Sequence, residues 1–366
     1  MISKPDFPST LGRIESIPRV QLFTGQTPLE EMPNLTKYCR GAQLLVKRDD
    51  CTGLAFGGNK VRQLEYFLGA ACAEYADTIL ITGAVQSNFV RSAAAAARKL
   101  GMNCHIQLEE RVATPDSNYR NSGNVIIDKL LGATLHSYPQ GDDESGADRQ
   151  LERISADLRD SGSRPYIIPL APGHPPLGSL GYVIAAKELL SQIGRGGLSI
   201  DEIVVASGSG ATHAGLLFGL RALGSTIRVT GACVRRDAAQ QQIRIRDTCD
   251  AIAALLQAES RVTDDDIKIT DAFLAPGYGK SNRATSNAIV LGARTEALML
   301  DPVYSGKAMA AVIQHAKLAD ENSTCVFLHT GGTPAIFAYQ EAIEEALAQF
   351  DGAGRQYRDD ATSEPK

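Results

Sequence analysis

Short, largely apolar runs rich in Val and Ile alternate along this chain with longer stretches rich in Ala and Leu, and no other feature restricts the fold as much. The spacing predicts strands over residues 44–46, 78–82, 104–108, 166–169, 203–206, 227–234 and 325–328. Between them it predicts helices over 63–76, 92–100, 124–131, 148–161, 181–193, 213–223, 286–296 and 308–318. A strand that is apolar at every position, rather than at every second one, has both faces covered. Strands of that kind separated by helices specify an α/β fold around parallel sheet.

The breaks in this pattern suggest its organisation. Residues 170–178, LAPGHPPLG, follow a predicted strand and are dense in Pro and Gly, so they read as a connection. The polar stretch 140–147 reads as an exposed loop, and the apolar-poor tail 352–366 is expected to fray. No internal repeat is present. With 366 residues, 43% of them hydrophobic and 22% charged, the chain can build one large or two modest domains. A net charge of -5 gives no electrostatic case for nucleic acid or an anionic membrane as partner. No apolar run approaches the roughly 20 residues that span a bilayer, and the N-terminus lacks the apolar centre of a secretion signal. Seven cysteines, scattered and never spaced C-x-x-C, suit neither a disulfide framework nor a zinc site. The expected setting is a reducing cytoplasm, with no metal.

The chemistry gathers in three turns that carry a strand into a helix. In open α/β sheets ligands bind at that edge. The first turn, Phe56-Gly57-Gly58-Asn59-Lys60, lets the backbone approach a ligand and puts a lysine near a positive helix end, where its pKa should fall. Taken singly, it is a surface lysine after a Gly-rich turn. The second runs Gly83-Ala84-Val85-Gln86-Ser87-Asn88-Phe89. Its helix-start N–H groups and the Ser87 hydroxyl could hold a carboxylate, and the Asn88 amide a phenolate-like oxygen. Singly, these residues are a helix cap. The third, Ser207-Gly208-Ser209-Gly210-Ala211-Thr212, combines small residues, hydroxyls and a helix start, which suits a phosphate. It matches neither the Walker A pattern nor the dinucleotide fingerprint. Jointly, a lysine, a carboxylate site with an amide and a phosphate cradle are what an aldehyde-phosphate cofactor with an amino-acid adduct requires. Asp49 and Asp50 read as a turn, and His213 and His329 as helix-start and core-edge residues.

The runs KRDDCTGLAFGGNKVRQLEY, TGAVQSNFVR, VVASGSGATHAG, APGYG, LDPVYSGKAMA and FLHTGGTPAIFAY resemble, in order, the D-cysteine desulfhydrase and 1-aminocyclopropane-1-carboxylate deaminase family. These are fold-type II, tryptophan-synthase-β-like pyridoxal-phosphate enzymes. The likeness implies two open parallel-sheet domains with the cofactor between them. The large cofactor-binding domain would comprise 1–62 and 172–351, and the smaller α/β domain 63–171. It further implies that Lys60 carries the Schiff base to pyridoxal 5'-phosphate and then moves the substrate's α-proton. Ser87 would hold the substrate carboxylate, with Phe89 beside it, and Asn88 the cofactor's ring oxygen. Ser209, Gly210, Ala211 and Thr212 would hold the phosphate. Tyr278 and Tyr304 would line the substrate pocket as catalytic residues, and Thr330 would sit by the pyridine nitrogen. A homodimer is also implied.

Three positions depart from the family pattern. Gln63 stands where a lysine often approaches the phosphate, and Phe89 where His or Gln usually follows Ser-Asn. Ser305 follows Tyr304, where the cyclopropane deaminases carry Glu. The resemblance therefore implies a lyase that performs α,β-elimination on a small β-substituted amino acid. D-Cysteine, giving pyruvate, ammonia and sulfide, is the foremost expectation. Cysteate sulfo-lyase, the cyclopropane deaminase and an amino-acid racemase are alternatives on the same scaffold. A non-catalytic cofactor carrier and a nucleotide-binding protein are the rivals of other classes.

Overall fold

The computed structural model describes residues 9–170 and 173–361, with side chains from 11 to 351 over those stretches. The elements run β1 (Leu29–Glu31), α1 (Pro33–Cys39), β2 (Gln43–Lys47), α2 (Lys60–Ala73), β3 (Thr78–Ala84), α3 (Asn88–Lys99), β4 (Asn103–Glu109), α4 (Ser117–Asn121), α5 (Gly123–Leu130) and β5 (Thr134–Tyr138). They continue with α6 (Glu144–Asp160), β6 (Pro165–Ile168), α7 (Leu177–Gly196), β7 (Glu202–Ser207), α8 (Ala211–Ala222), β8 (Arg228–Cys233) and α9 (Ala238–Leu256). The last are β9 (Ile267–Thr270), α10 (Arg283–Glu296), α11 (Ser305–Leu318), β10 (Thr324–Leu328) and α12 (Gln340–Ala361).

Two sheets form. One has six strands in the order β1-β2-β10-β7-β8-β9, the other four in the order β5-β4-β3-β6. Every pairing is parallel except β1 with β2, so the larger sheet is mixed where a purely parallel one was expected. The physical reason is local: a three-residue strand placed just before α1 pairs backwards along the sheet edge.

Successive strand residues point to opposite faces, and both faces of the larger sheet are core. Ile203, Val205, Val326 and Leu328 face a layer containing α7, α8 and α9 residues. Val204, Ala206, Cys325 and Phe327 face the other, with α1, α10 and α11. In the smaller sheet Ile79, Ile81 and Ile106 pack against α2 and α3. This is why the strands read as continuous apolar runs.

Other expectations change. Residues 140–147 are not simply a loop: Asp143 caps α6 by accepting from Gly146 N at 2.8 Å, and Gly146 and Ala147 are buried. Helix α12 runs on to Ala361, and 362–366 lie outside the described residues. Of the connection 170–178, residues 171 and 172 also lie outside them. Helix α9 escaped notice because Gln and Arg interrupt its apolar positions. Asp49 is no local turn residue. It is fully buried and accepts two bonds from Arg62, at 2.9 and 2.9 Å, and one from Tyr182. Arg62 also reaches Glu188 on α7 at 2.9 Å, so this network ties the start of α2 to α7.

Candidate active site

The strand ends of both sheets converge on one cleft of about 870 Å³, part of it open to solvent. It is lined by Lys60, Ser87, Asn88, Phe89, Ser209, Gly210, Thr212, Tyr278, Tyr304 and Thr330. Of the site residues expected from sequence, Ala211 alone is not on the cleft wall, and it is the first residue of α8 beside it. The strand-to-helix turns put them there. Lys60 opens α2, Ser87 and Asn88 open α3, Gly210 precedes α8, and Thr330 follows β10.

The turn before Lys60 requires glycine. Gly57 and Gly58 have φ of 63° and 112°. A Cβ on Gly57 would lie 2.0 Å from the Asp50 carbonyl oxygen, and one on Gly58 3.1 Å from that of Thr330. Lys60 is partly open to the cleft, and its Nζ lies 3.2 Å from Gln63 Oε1 and 4.8 Å from the centre of the Phe89 ring. Its pKa is pushed down to about 8 by burial. Enclosure with a neutral partner and an aromatic face is the cause in the structure.

At the start of α3, Ser87 Oγ accepts from the N–H groups of Phe89 and Val90, at 3.2 and 3.4 Å. Those two donors, expected to face a carboxylate, are therefore engaged in capping. The Ser87 hydroxyl keeps its own proton to donate. Asn88 Oδ1 accepts from Asn124 Nδ2 at 3.0 Å, which leaves the Asn88 amide N–H₂ as the group available to the cleft. Across the cleft the hydroxyls of Tyr278 and Tyr304 are hydrogen-bonded at 2.7 Å, their rings edge to face. Burial raises the pKa of both. Tyr304 is held by the Asp301 carboxylate, which accepts from its backbone N at 2.8 Å. Burial pushes the Asp301 pKa up to about 6.

At α8 the preceding residue, Gly210, has φ of 94°, and no side chain caps the helix. Thr212 Oγ1 accepts from Asn59 Nδ2 at 2.8 Å and from Gln63 Nε2 at 2.9 Å, so its proton too is left to donate. A helix start whose N–H groups lack a side-chain acceptor, beside a hydroxyl oriented by two amides, is a site for an anion.

A ring of charged residues was missed by the sequence reading. Arg111, Glu144, Arg235, Arg236 and Arg244 also line the cleft. Glu144 pairs with Arg235 at 2.6 Å and Arg236 at 2.7 Å, and burial, which would raise its pKa, is outweighed by these arginines and Arg244. A signal existed: Arg111 follows β4 by two residues and the pair Arg235-Arg236 follows β8 likewise, the same edge that yielded the three turns. His213 lies in the first turn of α8, and it and His329 are buried more fully than core-edge residues, His213 beside Ser207 Oγ at 3.2 Å. All seven cysteines are free, and no cluster that could hold a metal occurs among the described residues.

A profile described as pyridoxal-phosphate dependent enzyme matches residues 20–331. The chain belongs to that family. A D-cysteine desulfhydrase of Salmonella choleraesuis (strain SC-B67) is 40% identical over 335 residues, which is 91% of this chain and 99% of the relative. A protein of the same name from Salmonella typhi is 39% identical over the same length and shares. Among solved structures, an ACC deaminase homologue matches with a TM-score of 0.82 at 32% identity, covering 93% of this chain and 100% of its own. A fungal L-serine ammonia-lyase from Rhizomucor miehei shares the fold, with a TM-score of 0.60 at 16% identity over 89% and 98% of the two chains. The chain is thus a pyridoxal-phosphate-dependent enzyme of fold type II. Its residues suit that cofactor: an uncapped helix start for the phosphate, a free amide at Asn88, and an enclosed lysine of lowered pKa for the aldehyde.

Proposed function

We propose that this pyridoxal-phosphate-dependent lyase removes a leaving group from Cβ of a small amino acid, with D-cysteine giving pyruvate, ammonia and sulfide as the reading its relatives favour. The observation that carries it is Lys60: an amine of lowered pKa, enclosed by the cleft and flanked by groups of α3 and α8. Bound pyridoxal phosphate supplies an electron sink for the charge left when the α-proton departs.

The protein's share is attachment, orientation and proton movement. Lys60 would hold the cofactor and, once free, take the Cα proton at Nζ. The Ser209–Thr212 turn would hold the phosphate, and Asn88 Nδ2 the ring oxygen. Ser87 Oγ would donate to the substrate carboxylate, Phe89 would wall that edge, and Thr330 would stand by the pyridine nitrogen. The linked hydroxyls of Tyr278 and Tyr304 would move a proton at the leaving group. Ring opening of aminocyclopropane carboxylate is disfavoured, because Ser305 is buried and bonded to Asp301 and brings no acid to the cleft.

The division into 1–62 with 172–351 and 63–171 fits the distribution of strands between the two sheets. A homodimer in the cytoplasm is the expected working state, to be checked by light scattering and by fractionation. The decisive assay incubates purified holoenzyme with D-cysteine and with aminocyclopropane carboxylate. Pyruvate with sulfide from the first bears the proposal out. 2-Oxobutyrate from the second, without pyruvate from the first, would overturn it.

A further inference from the structure

We propose that Lys307 is a positioning residue for the tyrosine pair: its ammonium serves as a built-in monovalent cation that grips the loop carrying Tyr278 and sets that hydroxyl against Tyr304. The inference rests on the reading in which the two tyrosines move a proton at the leaving group, and it names the residue that holds them together.

Tyr278 lies within residues 271–282, which contain no helix or strand, and Gly277 and Gly279 flank it with φ of 141° and 68°. The local sequence therefore fixes its backbone only weakly. Two side chains do fix it. Asn282 caps α10 by accepting from Thr285 N at 2.9 Å, and its Nδ2 donates to the carbonyls of Phe273 and Ala275 at 3.2 and 2.7 Å. Lys307, in the first turn of α11, donates through Nζ to the carbonyls of Leu274 and Gly277 at 2.7 and 2.8 Å. Gly277 is the residue immediately before Tyr278.

The other tyrosine is held from the same helix end. Tyr304 directly precedes α11, and the buried Asp301 carboxylate accepts from the backbone N–H groups of Tyr304 and Ser305 at 2.8 and 2.9 Å. Asp301 also acts on Lys307, opposing the burial that pushes the lysine pKa down to about 8. The start of α11 thus offers an anion to the backbone of Tyr304 and a cation to that of the Tyr278 loop. Their hydroxyls meet at 2.7 Å.

Like Lys60, Lys307 has a lowered pKa, but it is fully buried and absent from the cleft wall, so it is not placed to meet an aldehyde. Packing alone does not call for a charge here, since a methionine would fill the space without the cost of desolvation. What the ammonium adds is a point charge that backbone oxygens can surround, as they surround a dehydrated potassium ion.

The test assays holoenzyme of Lys307→Ala, Lys307→Met and Tyr278→Phe with D-cysteine and β-chloro-D-alanine. Lys307→Ala should lower kcat about 10- to 100-fold, with KM and the cofactor's absorption little changed. Ammonium or potassium chloride should restore most of that loss, and lithium chloride at equal ionic strength should not. No salt should restore Lys307→Met, whose side chain occupies the cavity. Added to Tyr278→Phe, Lys307→Ala should cost little more. Crystals of Lys307→Ala soaked in rubidium chloride give a readout independent of turnover: the anomalous signal should lie between the carbonyl oxygens of Leu274 and Gly277. If Lys307→Ala does not fold, Lys307→Met decides, with kcat lowered at unchanged KM and spectrum as the supporting result. Wild-type kcat in the variants, or a loss shared with cofactor binding that no cation relieves, would overturn the positioning role and leave the lyase standing. Wild-type turnover in Tyr278→Phe would overturn the tyrosine reading instead, and pyruvate from neither substrate with the unaltered enzyme would overturn the lyase.

Discussion

Asn124 Nδ2 donates to Asn88 Oδ1 over 3.0 Å, while Asn124 Oδ1 accepts from Arg91 Nε at 2.9 Å. The orientation of the Asn88 amide is therefore set from behind the cleft. Arg91 extends the chain further, donating to the backbone carbonyls of Ala55 and Gly57 in the turn that leads to Lys60. One buried arginine thus links the two turns that carry the lysine and the amide.

Replacing Asn124 by Ala should release that amide and leave Arg91 short of an acceptor. We expect a stability loss of about 1–3 kcal/mol, and cofactor affinity weakened about tenfold. Denaturant unfolding and a visible-absorbance titration of apoprotein with pyridoxal phosphate measure the two effects. An unchanged titration would mean that Asn88 is not held through Asn124.

Lys60→Ala should cut turnover by about 10³-fold or more and remove the visible absorption of the lysine-bound cofactor without unfolding the protein. The pH dependence follows from the lowered pKa. Below about 8 the Nζ is mainly protonated, and only the free amine attacks an aldehyde. The rate at which apoprotein takes up the cofactor should therefore rise about tenfold per pH unit up to about pH 8 and level off above it. A rise continuing to pH 10 would mean an ordinary exposed lysine reacts instead.

Tyr278→Phe and Tyr304→Phe each remove one half of a half-buried hydroxyl pair on the cleft wall. Each should lower kcat by about 10- to 100-fold while leaving the cofactor spectrum intact. The double substitution should cost little more than either single one, since the two act as a unit. Additive losses measured in steady state would separate their roles.

Asp128 gives a prediction about stability alone. It is fully buried on α5, neither carboxylate oxygen has a hydrogen-bond partner, and burial pushes its pKa up to about 8, with Arg91 opposing. Folded protein thus binds a proton here that unfolded protein releases between about pH 4 and 8. In that window stability falls as pH rises, by roughly 1.4 kcal/mol per unit at most. Asp128→Asn should flatten the decline, most visibly when unfolding midpoints at pH 5.5 and 8 are compared.

The lysine, the cap residues and the phosphate turn were readable because each sits where an apolar strand gives way to a helix, and that boundary is a local property. Arg111, Arg235 and Arg236 occupy the same kind of position but were passed over, since a charged residue after a strand is ordinarily solvated. Only the approach of α6 from the smaller sheet, bringing Glu144 against the loop after β8, makes these arginines part of a site. Asp49 was misjudged for the same reason: its partners Arg62 and Tyr182 are distant in sequence.

By itself, the sequence determined the α/β class and pointed to the turns expected to hold an aldehyde, a phosphate and a carboxylate, because backbone periodicity and turn chemistry act over a few residues. The tertiary structure decided what those residues face. The enclosure that lowers the Lys60 pKa, the bond between Tyr278 and Tyr304 and the arginine-lined mouth all arise where segments far apart in the chain meet. Desolvation and charge pairing depend on what lies within a few ångströms in space, and short-range sequence patterns do not encode that distance.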